Sequence, residues 1–171
     1  MNTLVLQRPF WFFGIFALTT LLLLPLWNGL ADWYMVALSA LVNHASTWTG
    51  LPSQFQLGAL PQEQMISPGI VAGTALFIAT PERSVRWKIS WIVVLCTSLY
   101  ALQSFLLLVQ VHLAYTHFFA QLSWVQRLQY DVPFISSLRT DLFASVVESG
   151  RYWTKSLCFV LIWIVAIGRR S

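Results

Sequence analysis

The pattern of apolar and polar positions is dominated by one run, residues 89–119, which holds no Gly, Pro or charged residue. As an α-helix rising 1.5 Å per residue, this run would extend roughly 46 Å, more than the ~30 Å hydrocarbon core of a bilayer. The pattern therefore predicts a transmembrane helix that projects beyond the membrane. Within it Gln103, Gln110 and His117 recur every seven residues and share one helical face. We expect this face to be buried against another helix, because an amide exposed to lipid without a partner is costly.

Three further apolar runs predict three more membrane crossings. The first, residues 10–27, is longer than the apolar part of a typical signal peptide, and no small-x-small cleavage site follows it, so we expect a retained anchor. The second is short and begins at Pro68, a residue suited to the first turn of a helix. The predicted fold is all-α, a single membrane domain over residues 1–171 with about four transmembrane helices and extracytoplasmic amphipathic helices. The spans are about 10–27, 65–80, 89–115 and 152–168, and the outer segments are 28–64 and 120–150.

The segments between the spans carry weaker signals. Pro25 is expected to kink or end the first helix, with a turn at Asn28 and Gly29. The helical spacing of apolar residues in 30–48 favours an amphipathic helix on the outer surface, although the sequence leaves open whether this segment spans. We expect a loop after it, with a short extended piece at residues 54–57. Two short outer helices divided by Pro133 are expected in residues 121–150.

Small residues mark the second span as a packing helix. Gly69 and Gly73 form a small-xxx-small pair, and alanines lie between and beyond them. Such residues allow transmembrane helices to approach closely. We therefore expect this helix to contact the Gln103, Gln110 and His117 face, and we assign all five residues to helix packing or partner binding. Whether the polar stripe lines a path or makes simple interhelical hydrogen bonds is open, with the second alternative favoured.

Composition and charge place the chain in a membrane. Hydrophobic residues make up 57% of the sequence and charged residues only 9%, far below the share in soluble proteins. Ten Lys and Arg oppose six Asp and Glu. In the four-span topology, six basic residues and one acid fall on the side of both termini, against four and five on the other side. Because cytoplasmic loops collect Lys and Arg, we predict a multi-pass membrane protein with both termini cytoplasmic. The basic residues form no continuous face, so nucleic acid is not an expected partner.

The candidate chemical groups do not assemble into a catalytic set. His112 and His117 project about 140° apart around one helix and cannot easily bind one ion. A pair between His44 and His117 remains open, but structural histidines are favoured over a metal site. Cys96 and Cys158 fall within predicted spans, where we expect packing thiols and no disulfide. We therefore expect no enzyme activity, no metal and no cofactor, and ion pairs among the acids and arginines of residues 121–151.

Several stretches together resemble a known family. The segments FALTTLLLLPLWNGLADWY and LFIATPERSVRW, a long helix rich in Leu and Gln, and a last span ending in Arg-Arg are similar to the small exosortase-associated membrane proteins, particularly those that accompany exosortase H. The resemblance implies a noncatalytic accessory subunit of a bacterial envelope protein-sorting system, with other membrane-protein subunits and the lipid bilayer as partners. It supplies no active-site residues. The alternative is a subunit of a redox or energy-transducing complex that binds haem, quinone or pigment, suggested by histidines near one interface and 15% aromatic residues.

Overall fold

All regular structure in the described part of the chain is helical. The computed structural model describes residues 9–55, 67–130, 132, 145, 149 and 157–168. Its elements are α1 (Pro9–Trp48), a 3-10 helix (Ser53–Phe55), α2 (Ser67–Ala79), α3 (Val85–Gln121), α4 (Trp124–Arg127) and α5 (Cys158–Gly168). Over these residues the all-α prediction is confirmed. By length and composition, α1 and α3 could each cross a membrane, whereas α2 and α5 are shorter apolar helices, so the four crossings stay a prediction.

Helix α1 is continuous over 40 residues, so it does not end near Pro25, the second of the two outcomes predicted there. Asn28 and Gly29, where a turn was expected, are also helical. Tertiary packing explains the difference, because the half of α1 beyond Pro25 has a buried face that packs against α3. Its members are Ala31, Met35, Leu38 and Val42, which meet Leu107, Val111 and Tyr115. Trp33 and Val36, on the face predicted from apolar spacing, are exposed.

The segment after α1 turns more tightly than expected. Residues 53–55 form a 3-10 turn in which the Phe55 amide donates to the Pro52 carbonyl at 2.9 Å. This replaces the first part of the extended piece predicted at residues 54–57. The Phe55 ring lies 4.9 Å from Tyr115 and 5.0 Å from Phe118, so packing against α3 fixes the turn. The remaining residues of the predicted loop lie outside the described ranges.

Helix α2 lies at the centre of the bundle. It contacts α1, α3 and α5, and its buried residues occupy every side of the helix, as is typical of a helix enclosed by others. They include Gly69, Ile70, Val71, Gly73, Ala75, Phe77 and Ala79. The helix begins at Ser67 with Pro68 in its first turn, as predicted. The first residues of the predicted span 65–80 lie outside the described ranges.

Helix α3 begins at Val85, earlier than the apolar run at residue 89 indicated. Ser84 explains the early start, since its hydroxyl accepts a hydrogen bond from the Trp87 amide at 3.2 Å and so caps the first turn. The helix then continues without a break to Gln121. The residues after it form the single turn of α4 within the first predicted outer helix. Pro133 and most of the second outer helix lie outside the described ranges.

One end of the bundle gathers the start of α1, the α2–α3 turn and the end of α5; we call it the turn end. The Phe12 ring lies 6.0 Å from the Trp163 ring, and Trp163 Nε1 donates to Thr80 Oγ1 at 2.9 Å. Arg83 Nη2 donates to the carbonyl of Ile167 at 3.3 Å. Residues near the beginning and the end of the described chain therefore lie on the same side of the bundle as the α2–α3 turn.

Candidate packing and partner-binding site

The predicted polar stripe of α3 passes from the bundle core to its surface. Gln103 is buried with 4% of its surface exposed. Gln110, two turns further along, is half-buried, and His117 is exposed. The three residues share a face as predicted, but among the described helices that face is fully covered only at its Gln103 end.

Gln103 is held by α1. Tyr34 Oη donates to Gln103 Oε1 at 2.6 Å, and the Tyr34 ring lies between Trp27 and Tyr100, with ring centroids 5.4 Å and 5.6 Å away. Tyr100 adds a second link, since its hydroxyl donates to the carbonyl of Ala37 at 3.1 Å. We call these four side chains, Trp27, Tyr34, Tyr100 and Gln103, the aromatic–amide cluster.

Tyr34 was not predicted from the sequence as a partner of Gln103. The glycine-rich helix α2 was expected to contact the stripe, whereas this hydrogen bond to Gln103 comes from Tyr34 of α1. Trp27 and Tyr34 are seven residues apart, the same interval as Gln103 and Gln110. This equal spacing is the signal in the sequence that could have indicated that these faces of α1 and α3 pack together.

Gly73 lies where α2 meets two helices at once. A Cβ atom placed there would be 2.6 Å from Leu95 Cδ2 and 3.0 Å from Phe159 Cβ, both closer than ordinary van der Waals contact. Leu95 is fully buried, so its side chain has little room to move away. Only a residue without a side chain fits between α3 and α5 at this position. Gly69, one turn earlier, is also buried.

The three histidines differ in burial and in the groups they contact. His112 is buried with 4% exposure, and its Nδ1 lies 2.8 Å from the Leu108 carbonyl. Because a carbonyl only accepts, Nδ1 carries a proton, while Nε2 is buried with no hydrogen-bond partner among the described residues. His44 is exposed with its ring 5.0 Å from that of Trp48, and His117 is exposed on α3. Within the described ranges, no three His, Cys, Asp or Glu side chains form a group that could hold a metal ion.

The remaining candidate side chains are the two cysteines and Arg127. Cys96 and Cys158 are both free and partly buried, as their positions in apolar helices predicted. Both pack against the cluster formed by Ile70, Phe77, Leu95, Leu99 and Ala166. Arg127 donates to the carbonyls of Leu122 and Ala120, at 3.0 and 2.8 Å. The acids expected to pair with the outer arginines, Asp131, Asp141 and Glu148, lie outside the described residues.

Comparison with known proteins adds no relative: no family model, no curated protein and no solved structure matches the chain. The likeness to exosortase-associated proteins accordingly stays a prediction from sequence motifs.

Proposed function

We propose that the protein is a noncatalytic accessory or scaffolding subunit of a bacterial inner-membrane complex, with exosortase-type envelope protein sorting as its most specific form. The exposed apolar surface of the helices favours placement in a membrane. The part of the polar stripe that the described helices leave uncovered favours a protein partner within that membrane.

The apolar surface of α1 supports the membrane placement. In its most apolar 18-residue window only 6% of the residues are buried, whereas the core helix of a soluble protein is mostly buried. Large apolar side chains project from this window and its flanks, and a bilayer would remove them from water. They include Phe10, Trp11, Phe13, Leu18, Leu21, Leu22 and Leu26. Packing of the second half of α1 against α3 supports its retention as part of the bundle.

The charges of the turn end support the proposed orientation. Arg83, Arg86 and Lys88 lie there with a single acid, Glu82. Because Lys and Arg collect on the cytoplasmic side, we assign this end to the cytoplasm. The contacts of Phe12 and Ile167 with residues of the same end favour cytoplasmic termini.

The exposed end of the polar stripe is the observation that carries the accessory role. Gln110 is half-buried and His117 exposed, and neither makes a hydrogen bond to a described residue. An amide within a membrane is stabilised when another helix supplies a polar partner, so this face suits a subunit interface. Gln103, on the same face, is an example of such an interaction, since Tyr34 of a neighbouring helix donates a hydrogen bond to its side chain.

Purification from membranes tests the proposal. The full chain should resist extraction by alkaline carbonate and should copurify in mild detergent with a larger complex. Gln110→Leu should reduce the recovered partner several-fold. Thr97→Val is the matched control, since Thr97 is also exposed on α3 and bonds only to carbonyls of its own helix. A monomer with turnover of its own, or equal recovery with both variants, would reject the accessory role.

A second candidate function is the redox subunit, and His112 is the observation that favours it. The Nδ1 of His112 donates to a backbone carbonyl, as in many metal-ligating histidines, which leaves Nε2 as the ring atom that could bind a metal. The absorption spectrum of the purified chain decides between the two candidates. A Soret band that disappears in His112→Leu would favour the redox role, and a colourless protein would exclude bound haem or pigment in the preparation.

A further inference from the structure

The turn end carries an excess of positive charge in a short stretch of chain. Arg83, Arg86 and Lys88 fall within six residues, and Glu82 is the one acid beside them. No carboxylate of the described residues pairs with Arg86 or Lys88. Within the described part of the chain, the positive charges of Arg86 and Lys88 are therefore not neutralised.

Two of the cations are anchored on helix ends. Lys88 Nζ donates to the carbonyl of Ile78, in the last turn of α2, at 2.7 Å. Arg83 Nη2 donates to the carbonyl of Ile167, in the last turn of α5. A carbonyl carries no net charge, so it positions the lysine without neutralising it. Arg86 is exposed and makes no hydrogen bond to a described residue, which leaves its guanidinium available.

Three tryptophans lie at the same end of the bundle as these cations. The Arg83 guanidinium carbon lies 5.0 Å from the centroid of the Trp87 ring, and Trp91 follows one turn later with its centroid 6.3 Å from that of Trp87. Trp163 of α5 reaches the same end through its bond to Thr80. Tryptophan is enriched where a membrane meets water. In the proposed membrane placement, these rings bring the cations to the level of the lipid headgroups.

We propose that Arg86, in the same basic stretch as Arg83 and Lys88, binds the phosphate of an anionic phospholipid headgroup. The planar guanidinium presents paired donors that match phosphate oxygens, and the neighbouring cations favour a lipid with net negative charge over a zwitterionic one. This site rests on the membrane placement proposed above and adds a lipid class to it.

A lipid titration of the full chain tests the site. The protein is purified in a neutral detergent, and its unfolding midpoint is followed as dioleoylphosphatidylglycerol or dioleoylphosphatidylcholine is added. A ligand that binds the folded state raises the midpoint. We expect a rise with phosphatidylglycerol, little change with phosphatidylcholine, and a weaker response at 0.5 M salt because the charges are near water.

Variants at the two ends of α3 locate the effect. Arg86→Gln should increase the phosphatidylglycerol concentration at half-maximal shift about fivefold. Arg86→Lys should restore only part of the loss, since it keeps the charge but not the paired donors of the guanidinium. Arg127→Gln is the matched control, because Arg127 is an exposed arginine beyond the opposite end of α3.

Three results would overturn the site: equal shifts with both lipids, a full phosphatidylglycerol response in Arg86→Gln, or the same shift from inorganic phosphate at equal concentration. The last result would assign the cations to free anions. Alkaline extraction separates failure of the membrane placement from failure of the lipid site. A chain released by carbonate refutes the placement, whereas a chain that stays in the membrane yet shows no lipid preference refutes only the site.

Discussion

The hydroxyl of Tyr34 lies 2.6 Å from the side-chain oxygen of Gln103, which joins α1 to α3 across 69 positions of the chain. Gln103 is buried, and Trp27 and Tyr100 enclose the tyrosine. The bond thus lies in an apolar setting, where a polar group that loses its partner cannot turn to water. It fixes which faces of the two long helices meet.

A double-mutant cycle should detect this bond. Tyr34→Phe and Gln103→Leu are each expected to lower the free energy of unfolding in detergent by about 1 kcal/mol, the scale of interhelical hydrogen bonds in membranes. The double variant should lose less than the sum of the two, because the same bond is removed in each single variant. Tyr100→Phe is a useful control, since it removes a hydroxyl bonded to the Ala37 carbonyl instead. Additive losses for Tyr34 and Gln103 would contradict the assignment.

Substitution of Gly73 should disturb the bundle in proportion to side-chain size. Gly73→Ala is expected to destabilise by about 1 to 3 kcal/mol, because its methyl group would overlap Leu95 and Phe159. Gly73→Leu should cost more and prevent close packing of α2. Thermal unfolding in detergent measures both effects.

Gly29→Ala is the matched control, since its Cβ would meet nothing within 4 Å. Alanine is the better helix former, so this change should leave stability unchanged or slightly higher. Equal losses at both glycines would show that backbone effects, and not the α2 contact, dominate.

The two glutamines of the stripe should respond differently. Gln110→Leu is expected to leave the stability of the isolated chain nearly unchanged, because Gln110 makes no hydrogen bond to a described residue. The same change should weaken the complex. Parallel measurement of unfolding and partner recovery separates the two roles. A stability loss in Gln110→Leu as large as that in Gln103→Leu would place the contact within the chain.

Trp163 should contribute through its indole nitrogen. Trp163→Phe keeps an aromatic ring but removes the donor to Thr80 Oγ1, and about 1 kcal/mol of stability should be lost. Thr80 retains its own bond to the Leu76 carbonyl, so the loss should stay small. Trp11→Phe, at an exposed tryptophan, controls for ring size. Identical melting of the two variants would argue against the bond.

The elements that sequence predicts best here are those where the local signal and the packing agree. Helix α3 follows from an apolar run without helix breakers, and the start of α2 follows from Pro68. Local signals mislead at Pro25, Asn28 and Gly29, because burial of the next part of α1 against α3 outweighs their preference for a turn.

The site is only partly predictable for a related reason. Heptad spacing places Gln103, Gln110 and His117 on one face, but periodicity within a helix does not specify which neighbour covers that face. Tyr34, the residue that does so for Gln103, is distant in sequence. The small size of Gly73 predicts close approach, yet the identity of Leu95 and Phe159 as its neighbours depends on the whole bundle.

The position of Gly73 also bears on the order in which the bundle can be completed during synthesis. Leu95 is translated soon after Gly73, whereas Phe159 comes more than eighty residues later. The contact of Gly73 with Leu95 can therefore form early, whereas its contact with Phe159 requires α5. Before α5 has been synthesised, this side of α2 lacks its neighbour, so the packing around Gly73 is completed only once α5 is present.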